Sequence, residues 1–201
     1  VYPSANYYWI LNIEYHIIDQ LGRAREIGTV QIDVGNAERF GIKYIDEEGK
    51  ERYPIILHSA IIGSLERYMY AIFDTVIKEG KKELPLWISP IQVRVIPVSS
   101  KHLEKAKYIA LEIRNSGIRV DLDDRNDTVE KKIRDAEIDW INYIIVVGEK
   151  EEKSGKLSVR KDGKIFEMNL DDLKKEIEKQ TKSFPKMDIS LPLELSMRPK
   201  F

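Results

Sequence analysis

The stretch KKELPLWISP, residues 81–90, separates two hydrophobic rhythms that one sheet or one bundle could not both satisfy. Before it, apolar and polar residues alternate through WILNIEYHII, GTVQIDV, IKYID and YPIILH. That period of two belongs to strands with one covered face. Turn signals such as GN and EEGK join the segments, so the expectation is a four-stranded antiparallel sheet. From Ser64 the spacing becomes helical, and LERYMYAIFDTVIKEG stops at Gly80.

Beyond the divide, near-continuous apolar strands alternate with helices. IQVRVIPVS, IRVDLDD and YIIVVG read as strands, and HLEKAKYIALEIRNSG, TVEKKIRDAEID and LDDLKKEIEKQTK as helices. KLSVRK and IFEMN flank KDGK as a hairpin. Such alternation builds a compact α/β domain with a mixed, mostly parallel sheet. Pro85 and Pro90 mark residues 85–90 as a linker between residues 1–84 and 91–201. The proline-punctuated tail, FPKMDISLPLELSMRPKF, is expected to pack back along the surface. The first unit enters its strand pattern at once and has one long helix for many apolar strands, so it reads as part of a larger domain.

Composition excludes several classes. With 42% hydrophobic and 33% charged residues the chain is globular in character, not disordered. It has no cysteine, hence no disulfide and no thiolate metal site. No apolar run is long enough to span a bilayer and no secretory signal pattern is present, so a cytoplasmic protein with no membrane partner is expected. Residues 1–90 carry 10 Lys+Arg against 13 Asp+Glu, and the remainder 23 against 21. That leaves room for a local basic face on the second unit without proving one.

HSAIIGSLER, residues 58–67, carries the densest chemistry. His58 ends a strand, Gly63 permits close backbone approach, Ser64 opens a helix and Arg67 lies on its first turn. A guanidinium beside helix N-terminal amides suits phosphate oxygens. A structural histidine, a packing glycine and a solvated Glu66–Arg67 pair fit the spacing too, and spacing alone favours that reading.

The stretch closely resembles motif 3 of the class II aminoacyl-tRNA synthetases, in the form found in the threonyl-tRNA synthetase family. The likeness runs upstream through GRAREIGTVQIDVGNAERFGIKYIDEEGKERYPIILH and downstream through LPLWISPIQVRVIPVS, with an archaeal character in NIEYHIID and REIGTVQID. The resemblance implies a ligase that joins threonine to tRNA(Thr) using ATP with Mg2+, working as a homodimer. It makes Arg67 the ATP-phosphate arginine and places Glu26, Thr29, Gln31 and Ser64 in the ATP and threonine pocket. His58 would be one of three ligands to a catalytic Zn2+, with no counterpart of the other two here. Where bacterial enzymes have Trp-Gln this chain has Arg25-Glu26, and WILN replaces an aromatic-Gly-Pro-Lys stretch. Motifs 1 and 2 are missing, so the chain reads as an incomplete fragment that does not aminoacylate alone.

The second unit resembles the anticodon-binding domain of the threonyl, prolyl, histidyl and glycyl enzymes. The likeness implies that Asn126, Arg134, Glu151 and Arg160 contact the anticodon G and U. Such a set suits base reading, since amide, guanidinium and carboxylate each match a different base edge. Taken without the resemblance, Asn126 reads as a helix cap or turn residue and Glu151 as a surface carboxylate. Lys101, Lys105, Lys107 and Lys131 read as a solvated helix face, with phosphate contact as the alternative. A non-catalytic tRNA-binding paralogue is the competing function.

Overall fold

The computed structural model describes residues 8–199; the strand pattern expected over residues 1–7 and the last two tail residues lie outside them. The chain forms two compact units, Val1–Gly80 and Lys81–Phe201. The expectation of an antiparallel sheet followed by an α/β unit holds.

In the first unit, β1 (Trp9–Ile18), β2 (Ala24–Asp33) and β5 (Ile56–Ala60) form an antiparallel sheet with β2 central. A short helix, α1 (Asn36–Arg39), follows β2, and α2 (Leu65–Lys78) follows β5. IKYID does not join this sheet. Its two-residue strand β3 (Tyr44–Ile45) pairs with β4 (Glu51–Arg52) in a separate hairpin. Asp46 holds that turn, accepting from the N–H groups of Glu48 and Lys50 and from Arg52.

Gly28 is buried where β5 passes close to β2. A Cβ there would lie 2.8 Å from the Ile61 carbonyl oxygen and 2.9 Å from that of Ala60. Register matters on the other side of β2. Tyr15 pairs with Gly28 but His16 with Glu26, so Ile27 is an extra, bulged residue. The bulge shifts the alternation by one, which puts Glu26 on the same sheet face as Thr29 and Gln31.

The second unit holds one five-stranded sheet in the order β10 (Lys164–Met168), β9 (Leu157–Lys161), β8 (Tyr143–Val147), β6 (Val93–Pro97), β7 (Val120–Leu122). β7, β6 and β8 are parallel, and β9 runs against β8 and β10. Four of the five strands therefore point one way. Helices α3 (Leu103–Asn115) and α6 (Leu170–Thr181) cover one face over a continuous core that includes Val95, Ile113, Leu122, Ile145, Val159 and Leu173. Helix α4 (Val129–Ile138) covers the other through Ala136 and Ile133, which pack with Ile96, Ile141 and Ile144.

Three details depart from the sequence reading. GEKEEKSG, to which the sequence pattern assigned no element, holds a short helix, α5 (Glu149–Ser154), closed by Gly155 in the left-handed region. The tail does more than lie on the surface, since Leu193 is buried and Glu194 bridges in parallel to Leu122 at the β7 edge. Residues 84–89 pack with the second unit: Leu86 joins its core, Asn142 donates to the Leu84 carbonyl, and Arg119 donates to the carbonyls of Leu86, Trp87 and Ser89.

Candidate functional site

The first group is built around α2. Ser64 has extended backbone, and its Oγ accepts from the Arg67 N–H at 3.3 Å, capping the helix. Further along, Tyr70, Asp74 and Lys78 recur at every fourth position and so share one stripe. All three fasten to the β1–β2 turn. The Tyr70 hydroxyl donates to Asp19 (3.2 Å), the Asp74 carboxylate accepts from the Gln20 N–H (3.0 and 3.1 Å), and Lys78 donates to the Ile18 carbonyl (2.8 Å). The stripe fixes the rotation of α2 and with it the direction of Arg67, whose Nη1 donates to the Glu26 carbonyl at 3.3 Å. Gly63, with φ 59°, brings the chain against β2 just before the helix.

Arg67, Glu26, His16, Arg23, Arg25 and Tyr70 line a cleft of about 480 Å³. Asp19 stands behind it, fully buried, accepting from the side chains of Arg23 and Arg25 and from backbone N–H groups. Burial pushes its carboxyl up, but the Arg23 N–H and both guanidinium groups outweigh that and hold it well below the usual carboxylate range. Arg23 and Arg25 are thus oriented by a fixed anion, and with Arg67 they give the cleft a cationic lining, which suits an anionic ligand.

The remaining first-unit candidates meet on the sheet. Gln31 lies opposite both Asn12 and His58, and Thr29 donates to Asn12 Oδ1 at 2.7 Å. Glu26, Thr29, Gln31 and His58 therefore share one face. His58 Nε2 contacts Asp33 Oδ2 at 2.7 Å. Asp33 is buried and accepts also from the N–H groups of Gly35 and Asn36 and from the Asn36 amide. Burial raises its carboxyl, but the Asn36 N–H, His58 and the other donors more than offset that and hold it well below the ordinary range. An ionised carboxylate only accepts, so Nε2 carries the proton and Nδ1 remains a donor for a metal, an arrangement common for zinc-binding histidines. One ligand fits. Among the described residues no group of three or more His, Cys, Asp or Glu could hold a metal, so they do not make a zinc site by themselves. Sequence reasoning passed over Asp19 and Asp33; the turn DVGN was the available signal for the latter.

In the second unit, Asn126 and Arg134 are exposed before and along α4. Thr128, not Asn126, caps that helix, accepting from the Lys131 N–H at 3.3 Å. Arg160 lies opposite Ile144, which belongs to the cluster under α4, so Arg160 faces the α4 side of the sheet. Ser158, two residues earlier, shares that face and donates to Glu151 Oε1 at 2.6 Å. Glu151 is no surface carboxylate. It sits 8% exposed in α5, and its Oε2 accepts from the Gly148 N–H at 3.0 Å. Burial raises its carboxyl, but Ser158 and backbone donors outweigh this and lower it below the ordinary glutamate value.

The charges nearby are mostly committed to one another. Arg125 binds Asp123 and Asp135, Lys131 binds Asp127, Lys150 binds Glu167, Lys107 binds Glu194, and Arg94 binds Asp121 and Asp139. The side chains of Asn126, Arg134 and Arg160 make no hydrogen bond or ion pair among the described residues.

Comparison with known proteins accords with both halves. Residues 5–76 match the family described as tRNA synthetase class II core domain (G, H, P, S and T), and residues 92–180 the anticodon binding domain. Threonine–tRNA ligases of Thermofilum pendens and Nanoarchaeum equitans are 53% and 55% identical over 99% of this chain, which covers 34% and 32% of their lengths. A crystal structure of the RNA binding domain of threonyl-tRNA synthetase from Cryptosporidium parvum matches with TM-score 0.70 and 32% identity, over 85% of this chain and 43% of that one. The chain spans about a third of the length of the curated relatives it matches. Joining a class II core segment to an anticodon-binding domain, it belongs to the threonyl-tRNA synthetase family.

Proposed function

We propose that the second unit reads the anticodon of tRNA(Thr) and that the first contributes part of the ATP and threonine site of a threonine–tRNA ligase. One observation supports the reading most: among the described residues, the side chains of Asn126, Arg134 and Arg160 have no hydrogen-bond partner where most neighbouring charges are paired. Donors on β9 and on and before α4, with a carboxylate bonded to the same strand β9, can match the edges of unstacked loop bases.

In the first unit, Arg67 is the phosphate contact, facing charge that develops as the adenylate forms. Glu26, Thr29, Gln31 and Ser64 shape the pocket for ATP, entering with Mg2+, and for threonine. The core segment is residues 1–84 and the anticodon-binding domain residues 91–201, with residues 85–90 joining them and packed on the second unit. In the complete enzyme, a cytoplasmic homodimer, His58 would offer Nδ1 to a zinc whose other ligands would lie outside this chain. The zinc would hold the threonine amino and hydroxyl groups, which a methyl group cannot replace. Metal analysis of the purified chain is expected to find less than stoichiometric zinc. Stoichiometric zinc lost on His58→Ala would overturn the need for outside ligands.

The test of base reading is binding of this chain to a tRNA(Thr) anticodon stem-loop at fixed, near-physiological salt. Replacing the central G or the following U is expected to cost about 1–3 kcal/mol each. Arg160→Ala is expected to abolish the preference. Weak binding that ignores sequence and vanishes with added salt would reduce the interaction to phosphate attraction and refute the reading.

A further inference from the structure

We propose that Ser158 is a positioning residue for base reading: its hydroxyl ties the Glu151 carboxylate to the strand that carries Arg160, and through it the second unit recognises the 2-amino group of guanine. The inference rests on the anticodon reading above and adds a residue to it.

Glu151 is held at both oxygens. Ser158 donates to Oε1 at 2.6 Å and the Gly148 N–H to Oε2 at 3.0 Å. Glycine lets the chain come close here: a Cβ at residue 148 would sit a tight 3.1 Å from Val98 Cγ2 and in contact, at 3.4 Å, with Glu151 Oε2. Each carboxylate oxygen keeps a second lone pair, so two acceptor positions remain side by side. Ser158 and Arg160 are two apart on β9 and lie opposite Val146 and Ile144 on β8, so both face the α4 side. The Ser158 hydroxyl therefore ties the carboxylate to the strand that carries the guanidinium and sets the spacing between acceptor and donor.

That spacing selects a base. Guanine offers adjacent N–H donors at N1 and the 2-amino group to a carboxylate, and acceptors at O6 and N7 to an arginine fork. Adenine lacks both donors there, and inosine lacks only the 2-amino group. Without the Ser158 hydroxyl, Oε1 loses its fixed partner and the carboxylate can turn away from the geometry that meets two donors at once.

The experiment compares the stem-loop carrying G at the central position with one carrying inosine, using the wild-type chain, Ser158→Ala and Ser158→Thr. Ser158→Ala is expected to weaken binding of the G loop about five- to tenfold while changing the inosine loop less than about twofold. Ser158→Thr keeps the hydroxyl and is expected to retain the wild-type G-over-inosine ratio. A wild-type chain that prefers G, with the ratio unchanged in Ser158→Ala, would overturn the positioning role and leave the anticodon reading intact. Equal weakening on both loops with a lowered melting temperature would overturn it too, as a structural role alone. No preference for G in the wild type would overturn both readings.

Discussion

The two units are held together by different means. In the second, fully buried apolar side chains such as Val95, Ile113, Ile145 and Leu173 lock helices to both faces of a sheet. In the first, the buried apolar residues among those described are Ala37, Ala71 and Val76, and its other buried side chains are the carboxylates of Asp19 and Asp33. Leu57 is 69% exposed and Ile61 85%. A hydrophobic core fixes a fold without fixing directions. The two carboxylates fix directions: Asp19 orients Arg23 and Arg25 and anchors Tyr70, and Asp33 orients His58. The unit with the thinner core therefore holds its candidate site by directed bonds.

The largest expected effect tests that contrast. Ile145→Ala is expected to destabilise the second unit by about 2–5 kcal/mol through lost burial and a residual cavity. Leu57→Ala in the first unit is expected to stay within about 0.5 kcal/mol. Urea titration with probes in each unit would report both. Equal losses would break the comparison.

How far this was legible in the sequence follows the same division. Where a segment is buried by apolar contact, its rhythm announces it: YIIVVG, IQVRVIPVS and the three longer helices of the second unit lie where the pattern put them. KDGK also turned as its residues required, with Asp162 and Gly163 both at positive φ. Where polar bonds decide, the rhythm was silent or misleading. IKYID alternates like a sheet strand, yet Asp46 closes it into its own hairpin. EKEEKS has no apolar face to mark a helix, and Glu151 folds it by bonding back to Gly148. The site residues were named through family resemblance. Their grouping depended on a bulge at Ile27 that no periodicity shows.

The second prediction turns on acid. Asp19 and Asp33 both titrate lower in the folded chain than in the unfolded one, where about 3.9 is usual. The unfolded state therefore binds protons first as the pH falls, and stability must fall with it. Their contribution is fully present above about pH 5 and is lost progressively below about pH 4, toward the folded-state values. Melting of the first unit is expected to decline over that range. Asp33→Asn is expected to lower its stability at neutral pH and flatten the decline. A wild-type and variant pair with parallel pH profiles would remove Asp33 from the fastening.

The smallest effect is the sharpest comparison, because the two units contain matched caps. Ser64 Oγ accepts from the Arg67 N–H at 3.3 Å, and Thr128 Oγ1 accepts from the Lys131 N–H at the same distance. Ser64→Ala and Thr128→Ala should each cost about 0.5–1 kcal/mol. The consequences should differ, because different forces hold the turns that follow. In α4, Val129, Ile133 and Ala136 pack on the sheet from the first turn onward, so the turn stays docked without its cap. In α2 the first side chain fastened to the β1–β2 turn is Tyr70, and the turn before it carries exposed Leu65 and Arg67. Amide exchange at Arg67 is therefore expected to accelerate more in Ser64→Ala than exchange at Lys131 does in Thr128→Ala. If the two accelerate alike, apolar docking contributes nothing extra to the first turn of α4. If Arg67 alone responds, the first turn of α2 depends on its cap, while the stripe through Tyr70, Asp74 and Lys78 still holds the helix in the rotation that directs Arg67 toward the cleft.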